Sequence, residues 1–496
     1  MVDQTTFKVK KTFLCDMVYS EQKMYLYELA AIIVYFLILL TIGYFSYRKN
    51  MSIDDFVIGN RSMNYWLTAL SAHASDMSSW LFLAYPAAVF SNGILAAWTA
   101  VGLIVCMFLN WQWIAPKIRV TTEKYNSLTF SAFFESRFGD TSGLIRIFSA
   151  MILVVFYTIY ISAALTGMGD LLSSLFNLHY GIAILIGILI VVPYVFIGGY
   201  KTLAWIDLFQ GFFLLGVIIA VPLYLLSGIG GFAGISKSFD VHHLTKSLLP
   251  NFSGHTFISI ISMGLGWGLG YFGQPHIVTK FMGIKNVSEI YKSKWLGMSW
   301  MTLSLAAATL VGAVGVAFFN GTISDPEELF IKMVQASFHP FIVGFILCAV
   351  MAATINAMSS QVLVLTSSLT EDFYKKVFRP RASSKELLLI SRLGIVIIGV
   401  IAFMIAFRKT STIYTLVNYA WSGIGSSFGP LVILALYSKR VNKYGAWAGI
   451  LGGGITAGIW PLFHTTISPM VPGFLVSLVL NLIVSHVTRQ KVKRVI

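Results

Sequence analysis

Thirteen stretches of this chain are long and apolar enough to cross a bilayer as helices, which takes about 20 mostly apolar residues each. They fall at roughly 25–46, 64–90, 94–115, 144–173, 180–197, 203–227, 255–275, 293–319, 339–370, 386–407, 412–437, 443–463 and 470–488. The runs beginning at Leu144 and His339 exceed one span, so they tilt or project beyond the lipid. Composition agrees: 57% of the 496 residues are hydrophobic and only 11% are charged. A soluble protein carries about 25% charged residues. The mean hydropathy is +0.78. A cytosolic enzyme, a disordered chain, a coiled coil and a disulfide scaffold are thereby excluded. The expected fold is an all-α polytopic membrane protein with about thirteen transmembrane helices, and the lipid bilayer is its first partner.

The net charge of +15 comes from 35 Lys and Arg against 20 Asp and Glu. These basic residues sit in short connections, so they report topology rather than nucleic-acid binding. If the first helix starts outside, the inner segments are 47–63, 116–143, 198–202, 276–293, 371–386, 438–444 and 486–496. They hold 23 Lys and Arg, whereas the outer segments 91–93, 174–179, 228–254, 320–338, 408–411 and 464–469 hold 5. The amino terminus is therefore expected outside and the carboxyl terminus inside, although Lys8, Lys10, Lys11 and Lys23 of the polar tail 1–24 run against it. No connection exceeds 28 residues, so no soluble domain is expected. Cys15, Cys106 and Cys348 are far apart and fit neither a disulfide framework nor a metal site. No catalytic arrangement stands out, and the glycine run GLGWGLGYFG (264–273) lies inside an apolar span rather than after a strand. The protein does not read as an enzyme.

Two spans are anomalous. The second, YWLTALSAHASDMSSWLFLAYPAAVF (65–90), crowds Ser71, His73, Ser75, Asp76, Ser78 and Ser79 into nine residues at mid-membrane depth. A carboxylate there is expensive and marks function by default. Ser and Asp compete with the helix for backbone hydrogen bonds, so the run predicts a break, and broken backbone survives at that depth only beside a cavity. The seventh carries Gly264, Gly266, Gly268, Gly270 and Gly273, then Pro275; Trp267 and Tyr271, four apart, share a face. Each of these spans opens a run of five helices, and matched interruptions in two halves point to a transporter binding site. Close helix packing is the competing reading of the glycines. In the ninth span Asn356, Ser359 and Ser360 share a face and offer oxygens suited to a hard cation, or to interhelical hydrogen bonds. Glu371 and Asp372, beside Lys375 and Lys376, read as a solvated helix end.

At these residues the chain resembles the sodium:solute symporter family. The resemblance covers nearly the whole length, through GNRS (59–62), LSAHASDMSSW (70–80), FYTIY (156–160), FIGG…WID (196–207), GWGLGYFGQPH (266–276), SSQVLV…LTEDFYK (359–375) and YAWSGIGSSFGP (419–430). It implies a LeuT-type core: a tail (1–24), a flanking helix and loop (25–63), one five-helix repeat (64–227), an outer loop (228–254), the inverted repeat (255–437) and two flanking helices with a cytoplasmic tail (438–496). It implies sodium-driven import of a small zwitterion, L-proline first, across a bacterial inner membrane. The resemblance places sodium among Ala74, Met77, Ala353, Asn356 and Ala357, and a second sodium in some members at Asp207, Ser359 and Ser360. Substrate is placed near Ser78, Ser79, Trp80, Tyr160, Trp267 and Tyr271, and Arg61 and Asp76 match positions that matter for coupled transport.

Three departures qualify it. Asn356 and Ala357 stand where the family pattern has Ser and Thr, so the first sodium site should be weaker, reshaped or lost. His73 and Ser79 each stand where the pattern has glycine. Histidine titrates near neutrality, so a proton at His73 could replace sodium, which leaves proton-coupled or sodium-independent uptake of proline, betaine or a related amino acid as the alternative. The bland reading is a neutral, locally bonded histidine. Asp76 has three readings: cation ligand, electrostatic aid or cap of the broken helix. Arg61 reads as an inner-edge anchor or a gate, and Asp207 as a sodium ligand or a first-turn acid favoured by the helix dipole. An aromatic wall suits a pyrrolidine ring or a quaternary ammonium group. Oligomeric state is not legible, and no cofactor beyond the coupling ion is expected.

Overall fold

The computed structural model describes residues 4–46, 53–197, 200–251 and 253–489. Arg48 and Lys49, the glycines Gly198 and Gly199 of the FIGG motif, and Lys491, Lys493 and Arg494 lie outside the described residues. Regular structure among the described residues is helical, apart from one isolated bridge between Met63 and Ile284. The helices are α1 (Gln4–Ser46), α2 (Ile53–Ile58), α3 (Tyr65–Ala74), α4 (Ala84–Asn92), α5 (Trp98–Leu109), α6 (Ala115–Lys124) and α7 (Phe130–Phe138). Next come α8 (Leu144–Phe176), α9 (Tyr180–Ile197), α10 (Tyr200–Gly228), α11 (Gly231–Val241), α12 (Gly254–Gly268), α13 (Pro275–Met282) and α14 (Ile290–Phe318). The last are α15 (Leu329–Ser337), α16 (Pro340–Ser367), α17 (Ser384–Phe407), α18 (Ile413–Tyr437), α19 (Lys443–Ile459) and α20 (Met470–Val487).

Every predicted span falls on helix. Among the described residues ten stretches are long and apolar enough to cross a bilayer, and the bent pair α12–α13 makes an eleventh. Of the second predicted span only the 10-residue arm α3 stays outside that count, since α4 runs on with the third span in one stretch, Ser79–Lys124, and of the fifth span Tyr180–Ile190 is the apolar part and falls short of a full span. Three sequence expectations change. The 1–24 tail is helical from Gln4 onward, continuous with the first span. The third span does not stop at 115: a π-turn over Asn110–Ile114 carries it into α6. The 116–143 and 228–254 connections are not plain loops, since they contain α6, α7 and α11.

Local chemistry sets many helix starts. Asn64, Thr129, Ser253, Ser383, Thr412 and Asn442 each accept a main-chain N–H of the first turn that follows. Glycine then lets helices touch. A Cβ on Gly102 of α5 would lie 2.0 Å from the Gly264 carbonyl oxygen of α12, and one on Gly268 would lie 2.5 Å from the Gly102 oxygen. Such backbone contact is how helices pack without a hydrophobic drive between them. The packing reading of the glycine run therefore holds for Gly268, whereas a Cβ on Gly264 would meet only the Trp98 carbonyl at an ordinary 3.7 Å. The backbone contact fixes α12 against α5 and so positions the break that follows.

Candidate functional site

The predicted break in the second span is present. Helix α3 ends at Ala74, Ser78 sits at φ 44° and ψ −168°, a 3-10 turn covers Ser79–Leu81, and α4 resumes at Ala84. Positive φ is costly for a residue with a side chain and persists only where its surroundings enforce it. The serines replace lost helical bonds: Ser75 Oγ donates to the Ser71 carbonyl at 2.5 Å, and Ser78 Oγ accepts from Trp80 N at 3.2 Å. The Met77 carbonyl accepts from Leu81 N at 3.1 Å, whereas no described donor meets the Ala74 carbonyl. The seventh span breaks likewise. Helix α12 passes into a 3-10 turn over Leu269–Phe272, and α13 resumes at Pro275 after a 42° bend.

The two breaks meet. The Tyr271 hydroxyl donates to Asp76 Oδ2, and around that bond lies a small cavity of about 20 Å3. Asp76, Met77, Trp80, Tyr160, Trp267 and Tyr271 line it, together with Leu103, Val417 and Trp421. Trp80 lies over Trp267 with ring centroids 4.9 Å apart, and Trp421 stands edge-on to Tyr271 at 5.3 Å. Trp267 Nε1 donates to the Tyr414 hydroxyl at 3.1 Å, and Trp421 Nε1 donates to the Trp267 carbonyl at 2.8 Å. Six of the residues expected at the site thus converge. Ser78 and Ser79 do not line the cavity; the Ser79 hydroxyl is turned onto Gly167 instead.

Sequence reading missed Trp421 and Asn110. Trp421 looks like any aromatic in an apolar run, but its indole would lie 2.0 Å from a Cβ on Gly270, so that glycine is the signal. Asn110, wholly buried, donates to the Tyr271 carbonyl at 2.9 Å from the π-turn, the kind of helix defect that accompanies functional sites.

Helix α16, which carries Ala353, Asn356 and Ala357, packs against α3 and the 79–81 turn. All three are fully buried, and both amide atoms of Asn356 lack a hydrogen-bond partner. Ala357 contributes only a methyl group. An orphaned amide oxygen and an unpaired main-chain carbonyl each offer donor chemistry suited to a hard cation.

Of the residues expected at a second cation site, Asp207 and Ser359 are engaged otherwise. Asp207 Oδ2 accepts from Ser71 Oγ at 2.5 Å and lies 3.3 Å from Lys280 Nζ, which also donates to Ser71 Oγ at 2.8 Å. Lys280, counted by sequence among the inner connections, is 3% exposed. Ser359 Oγ turns back to the Ile355 carbonyl at 2.6 Å, and Ser360 Oγ is buried without a partner. The Asp207 carboxylate is thus answered by a cation of the chain itself, and the three residues do not form an open ligand set.

Arg61, at φ 49°, donates to the Met282 carbonyl at 2.9 Å, the Ser127 carbonyl at 3.0 Å and Thr122 Oγ1 at 3.3 Å. It staples the turn before α3 to the end of α13 and does not line the aromatic cavity. His73 also lies outside the cavity lining: its Nε2 accepts from Trp111 Nε1 at 3.1 Å and its ring fits over Gly297. Glu371 and Asp372 are not a solvated helix end. They are 6% and 0% exposed, and Asp372 accepts from Thr129 at 2.7 Å and Ser368 at 2.8 Å because α7 packs over them.

The profile of the sodium:solute symporter family matches residues 56–453. The chain is 40% identical over 457 residues to the high-affinity proline transporter PutP of Bacillus subtilis (strain 168), covering 91% of this chain and 96% of that protein. It is 38% identical over 476 residues to the sodium/proline symporter of Staphylococcus aureus (strain JH9), covering 92% of each. The substrate-bound outward-open structure of a Na+-coupled sialic acid symporter superimposes with a TM-score of 0.80 at 17% identity, over 93% of this chain and 98% of that one. That likeness establishes the LeuT-type fold expected above, in a multi-pass membrane protein. Its similarity in sequence, across nearly all of the helices that build the site, settles its kinship: the chain belongs to the sodium:solute symporter family.

Proposed function

We propose that this protein imports L-proline together with sodium by alternating access. The observation that carries the reading is the meeting of two broken helices at Asp76 and Tyr271 inside a cage of Trp80, Tyr160, Trp267 and Trp421. The names of the relatives, a proline transporter and a sodium/proline symporter at 40% and 38% identity, supply the substrate and the ion.

In this reading sodium sits between the open Ala74 carbonyl and the orphaned Asn356 amide, with Met77, Ala353 and Ala357 around it. The pyrrolidine ring lies against the indoles, and freed N–H groups at the breaks meet the carboxylate. Sodium favours the state open to the outside, substrate closes the cage, and rocking of one repeat on the other releases both inward. Repeats at 64–227 and 255–437 carry the motion. The excess of basic residues in the inner segments supports an amino terminus outside and a carboxyl terminus in the cytoplasm of a bacterial inner membrane.

Uptake of radiolabelled proline into vesicles under a sodium gradient, a proton gradient or neither tests the proposal. Accumulation with sodium alone is expected. Accumulation driven by protons, or by neither gradient, would move the assignment to the proton-coupled or sodium-independent alternative, and no uptake under all three would remove proline.

A further inference from the structure

The π-turn over Asn110–Ile114, which joins α5 to α6, carries three successive side chains to three other segments of the chain. Asn110 Nδ2 donates to the Tyr271 carbonyl at 2.9 Å, inside the turn that breaks the seventh span. Trp111 Nε1 donates to His73 Nε2 at 3.1 Å, one residue before the end of α3. Gln112 Oε1 accepts from Lys294 Nζ of α14 at 2.8 Å. The turn has one residue too many for an α-helix, since the Ala115 N–H reaches back five positions to the Asn110 carbonyl.

The first two bonds converge on Asp76. Tyr271 reaches that carboxylate through its hydroxyl. The His73 carbonyl accepts the Asp76 main-chain N–H at 3.3 Å, and Ala74 follows His73 directly. Asn110, Trp111, His73 and Tyr271 are all buried, and the Trp111 indole also packs on Phe281 of α13 with ring centroids 4.4 Å apart. A break gives up the helical bonds that would hold its two arms, so neighbouring side chains must hold them. Packing alone does not select this pattern. A buried asparagine costs free energy unless its polar atoms are answered, and Asn110 Oδ1 has no partner. What the position gains is the N–H that holds Tyr271.

We propose that Asn110 and Trp111 are positioning residues for transport, one for the substrate and one for the coupling ion. Asn110 holds Tyr271 so that its hydroxyl meets Asp76 while its ring lines the cage. Trp111 holds His73, and through it the Ala74 carbonyl where the first break begins. One helix defect thereby keeps the two breaks in register. The inference rests on the import reading and adds to it the element that aligns its site.

Uptake of labelled proline into vesicles tests it, with half-saturating proline measured at saturating sodium and half-saturating sodium at saturating proline. Asn110→Leu keeps the volume and removes the donor. It is expected to raise half-saturating proline about fivefold, the worth of one hydrogen bond, and to leave half-saturating sodium within about twofold. Asn110→Ala, with a smaller side chain, should show the same split. Trp111→Phe keeps a ring against Phe281 and is expected to do the reverse: half-saturating sodium rises about fivefold and half-saturating proline stays within about twofold. In each variant the maximal rate changes less than the affected concentration. In a Tyr271→Phe background Asn110→Leu adds less than about twofold, because its effect runs through the lost hydroxyl. Sodium and proline concentrations that rise together in all three single variants mark a general loosening of the fold and overturn the proposal. Unchanged concentrations overturn it too, as does full multiplication of the Asn110→Leu and Tyr271→Phe effects. Absence of sodium-driven proline uptake by the unsubstituted protein, measured first, overturns the import reading and this inference with it.

Discussion

The Tyr271 hydroxyl donates to Oδ2 of Asp76 and so ties the break in one span to the break in another. The bond joins residues 195 positions apart, and each sits where its own helix has lost its coil. Tyr271 is held in turn by Asn110 at its carbonyl and by the edge of Trp421 at its ring. The carboxylate in mid-membrane is therefore oriented by a neighbour that belongs to the cage.

Tyr271→Phe separates that role from packing. The ring remains, and Asp76 loses its donor. Proline uptake should show a half-saturating substrate concentration raised about tenfold with a smaller effect on maximal rate, since a hydrogen bond to a charged group contributes about 1.5–3 kcal/mol. Kinetics identical to the parent would mean that the bond is incidental.

The Lys280–Asp207 pair predicts a stability effect. Removing one partner of a buried pair leaves an unanswered charge and costs about 3–5 kcal/mol. Lys280→Met should lower the melting temperature in detergent well below that of the parent. Lys280→Met combined with Asp207→Leu should recover much of it, because apolar replacement of both partners is often close to neutral. A double variant less stable than either single one would contradict this account.

Glu327 gives a pH dependence outside the membrane-spanning segments. Its carboxylate accepts from Ile413 N and Tyr414 N, both at 2.9 Å, and caps α18 directly beside the Trp267–Tyr414 bond. Burial pushes the Glu327 carboxyl above the ordinary glutamate value, against the pull of the two amides. A group with a raised folded value holds its proton better folded than unfolded, so its contribution to stability falls as pH rises from the unfolded value through the folded one. Melting temperatures measured from about pH 4 to about pH 7 should show that fall in the parent and less of it in Glu327→Gln.

His73 and Gly297 form a matched pair. A Cβ on residue 297 would lie 2.4 Å from His73 Cδ2 and Nε2. Gly297→Ala should destabilise by about 1–3 kcal/mol, the range for overpacking, and His73→Gly in that background should restore stability. The lone pair of His73 Nε2 is occupied by Trp111. The pH profile of uptake in His73→Gly should therefore match the parent; a shifted profile would show that the ring exchanges a proton during transport.

The breaks were legible because their residues are anomalous where they stand: Asp76 and its serines at mid-membrane, and five glycines before Pro275. The span count was legible because lipid enforces a length. Contacts between distant segments were not. Lys280 looked like one more basic residue of an inner connection, and only packing of α13 on α3, itself packed on α10, brings it to Asp207, 73 residues away. Asp372 stands next to lysines and resembles a solvated helix end, until α7 covers it. His73 drew attention as a titratable group, whereas its environment is set by Trp111 and Gly297, which no local pattern connects to it. Helix α6 went unseen because a π-turn carried the third span on into a polar stretch that hydropathy reads as loop.

The departure at Asn356 and Ala357 allows the most direct test of ion coupling. The Asn356 amide is fully buried and neither of its polar atoms has a partner, a costly arrangement unless something else occupies it. Ala357, one residue on, offers no oxygen. If the amide oxygen is a sodium ligand, Asn356→Ala removes the one side-chain oxygen among Ala353, Asn356 and Ala357, and the half-saturating sodium concentration for proline uptake should rise about tenfold or more. Ala357→Thr adds a hydroxyl where the family pattern carries one, and should lower that concentration. A structural role for the amide predicts otherwise: Asn356→Ala would relieve two unsatisfied polar atoms, raise the melting temperature and leave the sodium dependence alone. Sodium titration of uptake together with thermal unfolding of the same two variants therefore separates a cation ligand from an idle buried amide.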